Sequence, residues 1–426
     1  MAQADDYSPT AIRGAQVMQK QGRPQAMCHV VAGLVLLISL SGCGVDWGYI
    51  SAAAAGQIDI LRKSVPISQA AENAALTSEQ RSKLNLIRDA RVYADEIIGL
   101  NTENNYTLFY DSDGEPVAFN VSACRKDAFE PRSWTFPIVG TVPYLGFFDR
   151  QAADAKYNEL VAEQLDVFMY EIDAYSGLWY FPTVVLSPVL ERSEIDLVES
   201  VFHELLHSTI WRTNDVTFNE SLATFVGRTA AIEYLALRYP EQPELVQYAI
   251  EQFEDVDRFS DFILTVFNEL DDFYSSDLPS ETKIADREAT YQAGRDRFAA
   301  DVQPLMNHPD MYAWVRDLPT NNAWLLGVQR YNLDLDVFQD VFTATSEDWP
   351  ACLELFHAAA AERNPYTYLQ TWLAAPRPTS PAHLKGGERT RDRQTAVPAQ
   401  QRSPRGVCPG RSATTLVGVE SRQMRK

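Results

Sequence analysis

The chain has 426 residues, of which 46% are hydrophobic, 22% charged and 11% aromatic, enough for one large domain or two smaller ones and too apolar for wholesale disorder. Its net charge of −21 combines +1 over residues 1–42, +8 over 376–426 and therefore −30 over 43–375. A body this acidic repels nucleic acid and anionic lipid, which argues against both as its partners.

Val30 to Leu40 reads Val-Val-Ala-Gly-Leu-Val-Leu-Leu-Ile-Ser-Leu. A helix needs about 20 apolar residues to cross a bilayer, so this run is too short. It suits the apolar core of an export signal, with Lys20 and Arg23 as the basic end. Leu40-Ser41-Gly42-Cys43 follows and resembles the lipobox of bacterial lipoproteins. The resemblance implies cleavage before Cys43, lipidation of Cys43 and a membrane anchor in the bacterial envelope. Gly44 in place of Asp implies the outer membrane, with the body facing the periplasm. Residues 1–42 are thus expected to be the signal, with 1–17 as an over-extended start.

Thr77-Ser78-Glu79-Gln80 has the pattern of a capping box opening a helix to about Gly99. Residues 106–110 and 117–121 are β-prone and flank Asp113-Gly114, which predicts a hairpin. Trp134 to Phe148 reads as strand and loop, and a long helix is expected over 150–175. Residues 177–190 suggest a strand and a turn. Helices are expected over Ser193–Trp211 and Phe218–Arg238. The rest, to about Ala375, is expected to be helical with breaks at Pro279, Pro304, Pro309, Pro319 and Pro350. From Pro376 the composition turns to Pro, Arg, Ser and Gly, a basic tail with too little apolar surface to order itself. The expected architecture is mainly α with a small β-sheet (α+β), with residues 43–375 as the body. Of five cysteines, Cys28, Cys43, Cys124, Cys352 and Cys408, none has thiolate metal-site spacing. Cys124 and Cys352, the two in the body, are open to either a disulfide or two buried thiols.

The chemistry lies in His203-Glu204-Leu205-Leu206-His207. Ile195, Val198, Phe202, Leu205 and Thr209 recur at spacings of three and four, which predicts an amphipathic helix. Ser193 and Asp196 are suited to cap it. On that helix His203 and His207 rise one above the other and can share one Zn²⁺ ion. Glu204 is placed as the general base. A catalytic zinc wants a third protein ligand, and Glu220 on the next helix supplies it if the chain reverses near residues 212–215. Asp196, Asp215 and Glu233 compete by position. The plainer alternative is a helix with incidental histidines, although the motif uses two of the chain's six.

These residues, with Asn219-Glu220-Ser221-Leu222-Ala223, resemble the gluzincin metallopeptidases. Twelve residues lie between His207 and Glu220, fewer than in the better-known gluzincins. A second resemblance is to the predicted bacterial aminopeptidases that begin as lipoproteins. It rests on Cys43 to Tyr49, Phe136 to Gly140, Pro143 to Phe148, the metal segment, and Asn321-Asn322-Ala323 before Tyr331. Together these imply a zincin-like zinc peptidase with an active-site helix and a peptide substrate. A second oxyanion donor is usual in such chemistry, and Tyr144, Tyr175, Tyr331 and His308 are the candidates. Val139 to Phe148 is a candidate edge strand for a peptide. The rival function is a zinc-binding envelope lipoprotein scaffold without proteolysis.

Overall fold

The computed structural model describes residues 47–136, 140–175, 181–330 and 335–375. The export signal, Cys43, Tyr331 and the basic tail lie outside them. Helix α1 (Trp47–Lys63) leads through strand β1 (Val65–Pro66) and helix α2 (Ile67–Ala71) to α3 (Ser78–Tyr93). The expected capping box opens α3. The Thr77 hydroxyl accepts from the Gln80 N–H at 3.1 Å, and the Gln80 carboxamide accepts from the Thr77 N–H at 3.0 Å.

Strands β2 (Leu108–Tyr110), β3 (Ala118–Cys124), β4 (Trp134–Phe136), β5 (Gly140–Val142) and β6 (Tyr144–Phe147) follow, then α4 (Arg150–Ala162), β7 (Asp166–Ile172) and β8 (Val185–Leu186). They form three small sheets, ordered β1-β2-β8, β6-β3-β7 and β4-β5. The expected hairpin does not form. Asp113 and Gly114 do take left-handed turn conformations, with φ of 56° and 80°, but β2 and β3 go to different sheets. Strand β3 is buried along most of its length and is flanked by β6 on one side and by all seven residues of β7 on the other. The expected helix over 150–175 is also corrected. It stops at Ala162, Gln164 turns left-handed with φ 62°, and the β-prone Val167-Phe168-Met169-Tyr170 pairs with β3 instead.

The remainder is helical: α5 (Glu194–Thr209), α6 (Val216–Arg238), α7 (Pro243–Tyr274), α8 (Ser280–Arg297), α9 (Asn322–Gln329), α10 (Leu335–Ala344), α11 (Trp349–Ala361) and α12 (Pro365–Ala374). The molecule is mainly α with small sheets, as expected. Among the described residues no helix is long and apolar enough to cross a membrane. Ser193 caps α5 by accepting from the Asp196 N–H at 3.1 Å. Asp196 takes a different part, with its carboxylate accepting from Ser193 Oγ and from Gln252 Nε2 on α7. The largest core packs α3, α5, α6, α10 and α11 together around Ile87, Phe202, Phe218, Phe338 and Phe356. Cys124 in β3 and Cys352 in α11 are buried and free, so the unpaired reading holds. Burial pushes both thiols up to about 12.

Arg212 ties the turn after α5 to the far end of the chain. Its guanidinium donates to Asp215 and to the carbonyls of Ala360, Glu362 and Arg363. Arg212→Ala removes these bonds and leaves water to solvate the exposed carbonyls of Glu362 and Arg363, and is expected to cost about 1–2 kcal/mol, read as a lower urea midpoint at unchanged slope. An unaltered midpoint would show that the tie is not a stabilising one.

Candidate active site

Helices α5 and α6 pack in opposite directions, and their contact surface is the site. Asn219 clamps the reversal between them. Its carboxamide accepts from the Arg212 N–H and donates to the Arg212 carbonyl, each at 2.8 Å. At the other end Gly227 allows the close approach. A Cβ there would lie 3.1 Å from the Glu199 carbonyl oxygen and 3.3 Å from His203 Cβ, so any side chain would push the helices apart.

Between these points the structure brings together the three residues expected as ligands. His203 Nε2 and His207 Nε2 are 3.2 Å apart. Glu220 Oε2 lies 3.3 Å from the first and 3.4 Å from the second. The imidazole planes are inclined at 87°. Four ligands at zinc bond lengths in a tetrahedron place donor atoms about 3.3–3.4 Å apart; two edges here have that length and the third, between the imidazoles, is 3.2 Å. Two imidazole nitrogens and a carboxylate oxygen are also a donor set that suits zinc. The residues present therefore fit the metal. Among the described residues this is the one His/Cys/Asp/Glu group with such convergence.

All four motif residues are buried, between 5% and 9% exposed, with His207 lowest, so charge interactions act with little screening. Burial opposes charge on His203. Its hydrogen bond to Glu220 and the charges of Glu204 and Glu199 outweigh that and push its pKa up to about 9. Burial likewise opposes ionisation of Glu220, yet His207 and His203 hold its carboxyl far below the usual range. For Glu204 burial wins and raises the carboxyl. Glu199 is raised by the same cause, with its Oε1 3.9 Å from His203 Nδ1. Beyond them the buried Arg192 donates to Asp173 and to Ser200 Oγ, a positive counterweight behind α5.

The competing acids are committed elsewhere. Asp215 caps α6 by accepting from the Phe218 N–H. Glu233 accepts from Tyr93 Oη and Trp349 Nε1. Of the oxyanion candidates, Tyr144 on β6 stands where Glu220 and Glu204 act on its phenol. Burial first, then those charges, hold its proton on. Tyr175 is used otherwise, its hydroxyl donating to Gln57 Oε1 at 2.7 Å and its ring against Phe148. His308 packs on Tyr248 with its nitrogen 3.6 Å from Glu251, so the structure does not bring it to the cluster. Tyr331 and Cys43 lie outside the described residues. Glu199 and Gly227 escaped the sequence reading. Glu199 stands four residues before His203, the one signal that could have found it.

A family model described as "Putative aminopeptidase" matches residues 48–365. The chain belongs to that family. The match runs from the second residue of α1 to the first of α12, so this aminopeptidase-family chain carries every residue of the cluster inside the matched span. No curated protein and no solved structure gives a significant match.

In the metal-free protein, His203 is expected to keep its second ring proton to about pH 9. A pKa raised on folding stabilises fully below the unfolded value near 6.5 and is lost as pH rises through about 9. Side-chain NMR of the histidines after chelator treatment reads this directly. An imidazole at position 203 that titrates near 6.5 would contradict the burial and charge arrangement described.

Proposed function

We propose that this chain is a zinc-dependent aminopeptidase of the bacterial envelope. The observation that carries the reading is the triangle of His203 Nε2, His207 Nε2 and Glu220 Oε2, with edges of 3.2 to 3.4 Å, beside Glu204 on the same helix. When bound, zinc supplies Lewis-acid polarisation of a peptide carbonyl and acidifies water. Glu204 takes the proton from the attacking water and passes it to the leaving amine. Its burial supports that role, because a raised carboxyl is a stronger base than a solvated one. The Tyr144 phenol, still protonated, donates a hydrogen bond to the developing oxyanion. Family membership supports a peptide substrate.

The envelope location rests on the sequence alone. Residues 1–42 act as the export signal, Cys43 carries the lipid that holds the protein at the outer membrane facing the periplasm, and 43–375 form the enzyme. Residues 376–426 are a basic tail.

Glu204→Gln is expected to retain one zinc per chain and to lose about 10²–10⁴ in kcat, measured on free-amine peptides with the metal quantified in the same sample. Activity within a few-fold of wild type would remove Glu204 as the base. Glu220→Ala is expected to weaken zinc by more than about a hundredfold, beyond the loss typical of an outer partner, in chelator competition. Unchanged affinity would exclude Glu220 as a ligand. One bound zinc with no cleavage of any peptide by the wild type would favour a zinc-binding scaffold instead.

A further inference from the structure

Strand β6 is an edge strand. It pairs with β3 through Phe119↔Phe147, Asn120↔Gly146, Val121↔Leu145 and Ser122↔Tyr144, and among the described residues the order β6-β3-β7 leaves its other side without a strand. In an antiparallel pair alternate residues turn their N–H and C=O outward. Gly146 is one of these. Its N–H donates to the Tyr49 hydroxyl at 3.0 Å, and its carbonyl accepts from the same hydroxyl at 2.8 Å. One phenol thus stands where the main chain of a further strand would be. Tyr144 has the same parity, so its N–H and C=O also face outward, and no hydrogen bond to them is found among the described residues.

Helix α1, which carries Tyr49, is seated firmly against this end of β6. The Tyr49 ring packs on Phe147 at 5.3 Å and on Phe136 at 6.0 Å. Gly56 meets Phe148 so closely that a Cβ would lie 2.5 Å from the ring. Gln57 accepts from Tyr175 at 2.7 Å. The opposite end of the segment lies at the metal helices. Thr141 N–H donates to Asn214 Oδ1 at 2.7 Å in the turn between α5 and α6. Among the described residues the free edge is therefore short, without a main-chain partner at Tyr144 and closed at Gly146.

We propose that Tyr49 is the stop that makes this enzyme an exopeptidase: a peptide adds to β6 at Tyr144, and the Tyr49 phenol at Gly146 bars any long extension on its amino side. The inference rests on the peptidase reading of the same site and names its substrate class, peptides with a free and unextended amino terminus. Direction follows from the geometry. A single outward-facing residue exchanges both its hydrogen bonds with one residue of an antiparallel chain, whereas a parallel chain must supply two. An antiparallel chain runs its amino end toward Gly146. Residues two apart on a strand are separated by about 6.8 Å, so about one substrate residue fits between the partner of Tyr144 and the Tyr49 hydroxyl. The carboxyl side meets no such stop at Tyr49.

The test compares full-length, zinc-loaded wild type with Tyr49→Ala and Tyr49→Phe. Each is given one peptide sequence in two forms, free at the amino end or acetylated and extended there by two residues. Cleavage positions are read by mass spectrometry, and folding by thermal midpoint. The wild type is expected to cut the free peptide near its amino end only. Tyr49→Ala is expected to raise kcat/KM on the blocked, extended peptide relative to the free one by about tenfold, with new internal cuts. Tyr49→Phe keeps the ring and loses the two hydrogen bonds, so the ratio is expected to move the same way by about threefold. It decides the matter if the alanine variant does not fold. A folded variant with the wild-type ratio and cut positions would overturn the proposal. So would a wild type that cuts both peptides equally, which would leave the peptidase reading intact. A zinc-loaded wild type that cuts neither would overturn both.

Discussion

The close packing of α5 against α6 is the constraint on which the site depends. Two contacts fix it. Gly227 brings the backbones together where Glu199 and His203 lie, and the double hydrogen bond between Asn219 and Arg212 closes the turn. Glu220 stands next to Asn219 in the chain, so the clamp that reverses the backbone also places the carboxylate. The distances among the three ligand atoms follow from rigid helices held at both ends, not from a loop folding over. Placement on rigid elements is what a preorganised site requires.

That packing has an electrostatic cost. Glu199, Glu204 and Glu220 are all buried within a few residues of two imidazoles, with Arg192 and Arg228 as the nearby cations. Carboxylates in such a place are tolerable only when paired. His203 holding a proton against the pull of burial is the metal-free answer to the same demand that a divalent cation would meet. The arrangement is costly as pure core architecture, since apolar side chains need no partners when buried and these do. Its departure from the apolar pattern of the surrounding core is the kind of local conflict that a functional site carries.

Local signals were legible where one element explained them. The Thr77 capping box, the Ser193 cap, the period of α5 and the reversal before Glu220 could be read from neighbouring residues, because each depends on contacts within a turn or two of helix. The sheets could not. Asp113-Gly114 makes its turn, yet the partners of β3 lie in β6 and β7, and a hairpin signal carries no information about strands further along the chain. The α4 boundary was missed for a related reason, since Gln164 is an unremarkable residue whose left-handed conformation is imposed from outside. At the site, His203, His207 and Glu220 converge as the spacing suggested. Tyr175 and His308 have other partners, and a tyrosine or histidine in a sequence does not announce that Gln57, or Tyr248 and Glu251, will engage it. Tyr49 entered the sequence reading only as the end of the segment Cys43 to Tyr49, because its partner is the backbone of Gly146.

The cluster of His203, His207 and Glu220 is also local in sequence. Only sixteen residues separate His203 from Glu220, and one helical hairpin spans them. The walls around it are drawn from far away: Asn101 reaches Thr209 and Ser208, Tyr106 binds Thr183, and Arg212 reaches Arg363. Short loops close faster than long ones. The hairpin that carries these residues can therefore close while contacts between more distant segments are still to form. Its two imidazoles and the carboxylate depend for their juxtaposition on one turn, and far less on the distant segments that enclose them.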